Sequence, residues 1–241
     1  MTLYASLCAE VAAQGLACRG GFQPAPDEDI PRAPDGAPAL TVVLLGFTGA
    51  HHFERFAASA ELADGAPHPL DRWSRRLIDA LARRHGASAL YPFGGPPWLP
   101  FQRWAQRAEP VYVSPINLLI HPVYGLWHAY RGALAFAERL ELPPRTATPS
   151  PCASCAAKPC LHTCPVAALG PAGLDVARCH DYLEHNSQAA CYDVACQARA
   201  SCPVGAEHRY GPTQARFHLQ AFLRAAGADQ RAPRADTGAP P

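Results

Sequence analysis

Lysine is nearly missing from this chain: Lys158 stands alone, and arginine supplies the rest of the 21 basic side chains. Against 20 Asp and Glu they leave a formal net charge of +1. That balance lacks the basic excess of a general polyanion binder, so no nucleic-acid partner is expected. Long apolar runs are missing too. None approaches the roughly 20 residues that a bilayer-spanning helix needs, so no membrane partner is expected. The opening stretch, MTLYASLCAEVAAQGLACRGG, has no basic leader region and is interrupted by Glu10. It reads as a short amphipathic helix, not as a secretory signal, and the expected address is cytoplasmic. No G-x-G-x-x-G, P-loop or G-x-S-x-G pattern occurs, which removes the usual nucleotide and serine-nucleophile signatures.

What the chain does have is proline, 26 residues of it, and ten cysteines in a length of 241. A chain of that size can bury a core without covalent staples, and cytoplasmic thiols stay reduced. The cysteines are therefore read as ligands before they are read as disulfides.

Punctuation by proline and glycine divides the sequence. Residues 1–38 form an N-terminal helix and a Pro- and Asp-rich linker (22–38). In the next part, 39–148, LTVVLLGF (40–47) reads as a buried strand, and residues 51–62 carry helical spacing. PLDRWSRRLIDALARRHG (69–86) places Leu70, Trp73, Leu77, Ile78 and Leu81 on one face, with Pro69 in the first turn and Gly86 as C-cap. ALYPF (89–93) reads as a second strand and residues 96–108 as a short helix. Residues 115–142 fit helix or strand. LPPRTATPSP then leads into the cysteine-rich part, 149–211, followed by a helix over 212–227 and a disordered tail over 228–241.

Eight cysteines lie in the third part: Cys152, Cys155, Cys160, Cys164, Cys179, Cys191, Cys196 and Cys202. Two sets of four thiolates suit two tetrahedral zinc sites or two [4Fe–4S] clusters. Cys-Pro-Val occurs twice, at Cys164 and Cys202, and a zinc ribbon has no use for proline after its outlying ligand. Cys8 and Cys18 lie outside the pattern and read as small buried hydrophobes.

The stretch CASCAAKPCLHTCPVAAL (152–169) resembles a bacterial two-cluster ferredoxin module, whose fourth cysteine, followed by proline, serves the other cluster. The spacing departs from that family: Lys158-Pro159 lengthens the middle gap, and the second set is looser. The resemblance implies that Cys152, Cys155, Cys160 and Cys202 hold one cluster, and Cys164, Cys179, Cys191 and Cys196 the other. It also implies one-electron transfer, fed by a low-potential electron donor.

RCHDYLEHN (178–186) and CYDVACQARASCPVG (191–205) are similar to the ferredoxin half of epoxyqueuosine reductases and, more distantly, of corrinoid-dependent reductive dehalogenases. PINLLIHPVYGLWHAYRGALAF (115–136) and ADGAPHPLDRWSRRLIDAL (63–81) resemble the family that strips upper ligands from cobalamin. These resemblances imply an α+β chain: a shortened nitroreductase-like domain followed by a ferredoxin-like two-cluster module, with residues 126–142 as a strand. They imply a corrinoid, or less favourably a flavin, as further cofactor. His121 would line the ring or give a proton, Arg131 would pair with a carboxylate or thiol cosubstrate, and Tyr124 and Trp127 would form an aromatic wall. The competing reading of all four is structural: a backbone-bonded loop histidine, a salt bridge from Arg131 to Asp71, and ordinary core aromatics. Gly94-Gly95 occupies the place where epoxyqueuosine reductases carry an acid. The leading functional expectation is reductive removal of a corrinoid upper ligand. Its rivals are a non-enzymatic electron carrier and a zinc-stabilised interaction module.

Overall fold

The computed structural model describes residues 2–50, 52–170 and 173–231, with the side chains of 228–231 left aside. Its centre is an antiparallel sheet in the order β1-β2-β6-β3. These strands are β1 (Ala17–Phe22), β2 (Thr41–Thr48), β3 (Ser88–Leu90) and β6 (His128–Phe136). β2 is buried at every position, as a continuous apolar run covered on both faces should be. One face packs against α1 (Leu3–Ala13), α2 (His52–Ala57) and α4 (Pro69–His85), through Leu7, Val11, Phe53, Phe56, Trp73 and Ile78. The other face packs against α5 (Phe101–Ala108), through Trp104 and Ala105.

α4 forms where the apolar spacing predicts, with Pro69 in its first turn and Gly86 left-handed at φ 61° as its cap. The strand implied for residues 126–142 is present but shorter, as β6 (His128–Phe136). β1 is a correction: the first 38 residues are not only helix and linker, because Ala17–Phe22 pairs with β2 and completes the sheet. A short helix α3 (Ala60–Ala63) and a two-stranded ribbon, β4 (Tyr112–Val113) with β5 (Leu119–Ile120), complete this half.

β6 carries the feature that matters most for the site. Leu45 faces Gly132 while Gly46 faces Tyr130, so Arg131 is an extra residue in its strand, a β-bulge. Bulges re-aim one side chain and flip the alternation beyond them. His128 precedes Arg131 in the strand, and Tyr130 packs on the α5 side, as do Ala133 and Ala135 beyond it.

The cysteine-rich part is built of turns, a small ribbon (β7, Leu169–Gly170, with β8, Gly173–Leu174) and short helices: α6 (Val176–His185), α7 (Cys191–Val194) and α8 (Gln197–Ala200). α9 (Pro212–Arg231) closes the molecule. It runs four residues past the expected 227, and residues 232–241 of the expected tail lie outside the described residues. Phe217 of α9 packs at a steep angle against the rings of Phe53 and Phe56 of the sheet half, while Leu219 packs among Leu183, Cys191 and Tyr192. One helix thus clamps both halves. No helix among the described residues is long and apolar enough to cross a membrane.

Candidate cluster sites and the cavity between them

The eight cysteines come together as two sets of four. Cys152, Cys155, Cys160 and Cys202 line one narrow cavity, beside Pro151, Pro159 and Pro203. Cys164, Cys179, Cys191 and Cys196 line a second. Neither set is contiguous in sequence. Lys158 adopts a left-handed conformation (φ 38°) and starts the 3-10 turn Pro159–Leu161, which seats Cys160 in the first cavity and passes Cys164 to the second. Cys179 rides on α6, whose first turn is capped by the Asp175 carboxylate accepting from the Arg178 amide. Ala195 and Cys196 follow α7 with φ of 58° and 120°, an abrupt reversal that returns Cys196 towards Cys191. α8 then carries the chain back, so that Cys202 reaches the first cavity.

Burial and neighbouring thiols together raise the pKa of Cys152 and Cys160, in the first set. In the second set, burial and the charges of Cys196, Cys164 and Cys191 push Cys179 up to about 12. Burial also raises Cys196. Four thiolates sharing an apolar wall repel one another, so a cationic centre is what would deprotonate the set. An all-sulfur donor set is the chemistry of iron–sulfur clusters or zinc. Among the described residues no three Cys, His, Asp or Glu side chains converge as they do around a single metal ion. The second cavity measures ≈ 390 Å³ and the first ≈ 20 Å³. Two donors already point at sulfur in the second set: the Ala168 amide to Cys164 Sγ (3.3 Å) and Gln197 Nε2 to Cys191 Sγ (3.8 Å).

The aromatic and basic residues singled out near 121–131 separate. His121 is buried; its Nδ1 accepts from the amides of Val123 (3.0 Å) and Tyr124 (3.3 Å), which leaves the proton on Nε2, 3.9 Å from Glu109 Oε2. Burial holds its pKa below the usual histidine range. Tyr124 stacks on that ring at 4.6 Å. Trp127 is fully buried, edge-on to Tyr210. These three belong to the packing behind the cavity described next, not to its wall. The histidine bonds to backbone amides and Trp127 is core, while Tyr124 is half-buried.

Behind them lies an ion pair that sequence reasoning missed. Arg19, only 1% exposed, gives Nη2 to Glu109 Oε1 at 2.6 Å and Nη1 to the Phe47 carbonyl at 2.6 Å. Tyr130 donates its hydroxyl to the same carboxylate. Removing one partner of a buried pair strands the other charge, a loss of about 3–5 kcal/mol. Glu109→Ala is expected to destabilise the sheet half by that order, read as a lower denaturant midpoint in tryptophan fluorescence. A midpoint within about 1 kcal/mol of the parent would show that Arg19 finds water or another acceptor.

Arg131 does face a cavity. It donates Nε to Ser74 Oγ (3.0 Å) and Nη2 to Asp71 Oδ1, which is the salt bridge of the competing reading, and it lines a space of ≈ 380 Å³ with Leu70, His128, Tyr130, Arg199 and Tyr210. This cavity shares Leu126 with the first cysteine cavity and Asn117, Leu118, Arg199 and His218 with the second. Arg199 braces the junction: Nε and Nη2 donate to the Leu126 carbonyl at 3.1 and 2.5 Å, under the ring of Trp127. His128 is 9% exposed. Its Nε2 lies 2.9 Å from the Leu119 carbonyl, and a carbonyl only accepts, so Nε2 carries the hydrogen. Burial lowers the ring's pKa well below the usual histidine range, and Nδ1 is a buried acceptor without a partner among the described residues.

Three further histidines could be metal ligands by residue type and lie elsewhere. His162 is exposed, His51 lies outside the described residues, and His52 bonds Thr48 Oγ1 and the Gly15 carbonyl at 3.1 Å each. Cys8 on α1 and Cys18 on β1 are half-buried, not core residues.

No protein-family model matches the chain, and no curated protein matches it. Two solved structures do. One is an epoxyqueuosine reductase with a tRNA-Tyr epoxyqueuosine-modified stem loop, at 14% identity over 87% of this chain and 67% of that one, TM-score 0.48. Another is the epoxyqueuosine reductase from Streptococcus thermophilus, at 13% identity over 95% of this chain and 82% of that one, TM-score 0.48. The first of them corrects one expectation. Nucleic acid was excluded as a partner on net charge, yet that similar structure holds a tRNA stem loop; net charge averages over the chain and says nothing about local charge.

Proposed function

We propose that this protein is a two-cluster redox protein: Cys152, Cys155, Cys160 and Cys202 hold one [4Fe–4S] cluster, and Cys164, Cys179, Cys191 and Cys196 hold the other. The observation that carries the reading is the division of eight interleaved cysteines into two sets of four, each lining its own cavity. Such clusters supply single electrons at low potential. The protein's own residues do the rest. The amide of Ala168 and the side chain of Gln197 donate to sulfur, which draws the potential of that site upward. The cavity containing Arg131 and His128 adjoins both cysteine sites and receives the electron acceptor. Arg199 and Arg131, the latter paired with Asp71, line it, and no carboxylate does among the described residues; His128 Nδ1 accepts a hydrogen bond from an N–H or O–H of that ligand.

A corrinoid is the acceptor to which the sequence resemblances point. Cobalamin exceeds the drug-sized ligands that cavities of this volume enclose, so it would lie across the mouth with one face towards Arg131. Anaerobic reconstitution should yield a brown protein whose broad absorbance near 400 nm bleaches with dithionite. Cob(II)alamin added to it should then show the base-off spectrum. Arg131→Ala should weaken that binding at least tenfold, about 1.4 kcal/mol, without changing iron content. Iron and sulfide present without any base-off shift would remove the corrinoid and leave an electron carrier. A colourless zinc protein would remove the redox reading altogether.

A further inference from the structure

The hairpin of β4 and β5 covers the first cysteine set. Ile116 and Ile120 pack with Leu126, Cys160 and Cys202 in one buried apolar cluster. Backbone alone closes the turn between the strands. The Ser114 amide donates to the Leu118 carbonyl and the Asn117 amide to the Ser114 carbonyl, each at 2.9 Å. Asn117 supplies the left-handed residue, at φ 58°. The Ser114 hydroxyl therefore has no part in holding the turn. Ser114 is 4% exposed, its Oγ is enclosed without a hydrogen-bond partner among the described residues, and it lines the cavity of Cys152, Cys155, Cys160 and Cys202. Of the buried polar side-chain atoms left unpartnered there, it alone lines a cysteine cavity.

We infer that the Ser114 hydroxyl donates a hydrogen bond to a sulfur of the first cluster and thereby raises that cluster's reduction potential; this rests on the two-cluster reading above. Buried hydroxyls are normally paired, and an unpaired one costs free energy. The rest of the wall is poor in donors. Pro115, Pro151, Pro159 and Pro203 line the same cavity, and proline has no backbone N–H to give. The amides of Cys152 and Cys202 are already engaged, by Ser150 Oγ and the Arg199 carbonyl, at 3.3 Å each. Lys158 also lines the cavity but is exposed. The second set is supplied differently, by the Ala168 amide and Gln197. A hydrogen bond to sulfur stabilises the more negative, reduced cluster more than the oxidised one, so its loss lowers the potential. Ser114 is a tuning residue: it holds no iron, and iron uptake does not depend on it.

Ser114→Ala in the full-length, anaerobically reconstituted protein removes the donor and leaves every ligand in place. Iron content should match the wild type. The EPR signal that Cys202→Ala abolishes should titrate at a more negative potential, by about tenfold in the redox equilibrium, ~59 mV for one electron. The signal of the other cluster should not move, which makes it the internal reference. Ser114→Thr keeps a hydroxyl and should titrate with the wild type. After exchange into D2O, pulsed EPR of the reduced wild type should show a deuteron coupled to the first cluster that Ser114→Ala lacks. An unmoved potential in Ser114→Ala, with iron intact, would overturn the hydrogen bond while leaving both clusters standing. So would an equal shift of both signals, or a threonine variant displaced as far as the alanine one. A wild-type chain that takes up no iron would remove the clusters and this role together.

Discussion

Replacing Cys202 by alanine should destroy the cluster held with Cys152, Cys155 and Cys160, and spare the one held by Cys164, Cys179, Cys191 and Cys196. Iron should fall from about eight towards about four atoms per chain, as one of two four-iron clusters is lost. One of two EPR signals in the reduced protein should vanish. The expectation rests on position: Cys202 shares its cavity with Cys152, Cys155 and Cys160, although the chain distance to Cys191 and Cys196 is far shorter. Cys164→Ala is the informative counterpart, because a pairing by sequence proximity would group Cys164 with Cys160. It should remove the other signal. If Cys152→Ala and Cys164→Ala extinguish the same signal, each cluster is built from consecutive cysteines and the division drawn here is wrong. Thiols raised by burial and by one another give the loss its size, since three remaining thiolates hold less charge against the iron and water enters at the fourth corner.

Much of this arrangement was legible in the sequence, for reasons that differ by element. β2 and α4 announce themselves because burial demands a run or a stripe of apolar residues, and both are there. The grouping of the cysteines came from the ferredoxin resemblance, carried by the prolines after Cys164 and Cys202, and the same two sets line separate cavities. β1 was not legible. Its sequence, ACRGGF, has two glycines and an arginine where a strand would show apolar alternation, and Arg19 is tolerated only because Glu109, 90 residues away, meets it. No local pattern contains that partner. The orientation of residues 121–131 was equally hidden. Alternation along β6 shows which residues share a face only if the register is continuous, and the extra residue at Arg131 breaks it. Hence Tyr130 packs on the face of Ala133 and Ala135, while Arg131 turns to Asp71 and the cavity. His128 was passed over because a lone histidine in a strand carries no signal until its unpartnered nitrogen is seen.

The halves of the molecule meet backbone to backbone, and this makes two glycines sensitive positions outside the cysteines. Gly125, at φ 56°, follows the IHPVY segment, and Gly205, at φ 67°, follows Cys202-Pro-Val. A β-carbon on Gly125 would stand 1.9 Å from the Val204 carbonyl oxygen, and one on Gly205 2.4 Å from the Tyr124 carbonyl carbon. Backbone cannot swing aside as a flexible side chain can, so alanine at either site must push the two segments apart. Overpacking costs about 1–3 kcal/mol and a left-handed alanine about 1–2 more. Gly36 separates the two contributions. It too has positive φ, 81°, but nothing lies within 4 Å of its would-be β-carbon, so Gly36→Ala should show the conformational penalty alone. Gly205→Ala should be clearly less stable than Gly36→Ala in denaturant unfolding. It should also lose the EPR signal that Cys202→Ala loses, because displacing residue 205 draws Cys202 away from Cys152 and Cys160. The other cluster, seated between α6, α7 and α9, should persist. If Gly205→Ala keeps both signals and unfolds with Gly36→Ala, the contact between Tyr124-Gly125 and Val204-Gly205 does not hold the first cysteine site in place.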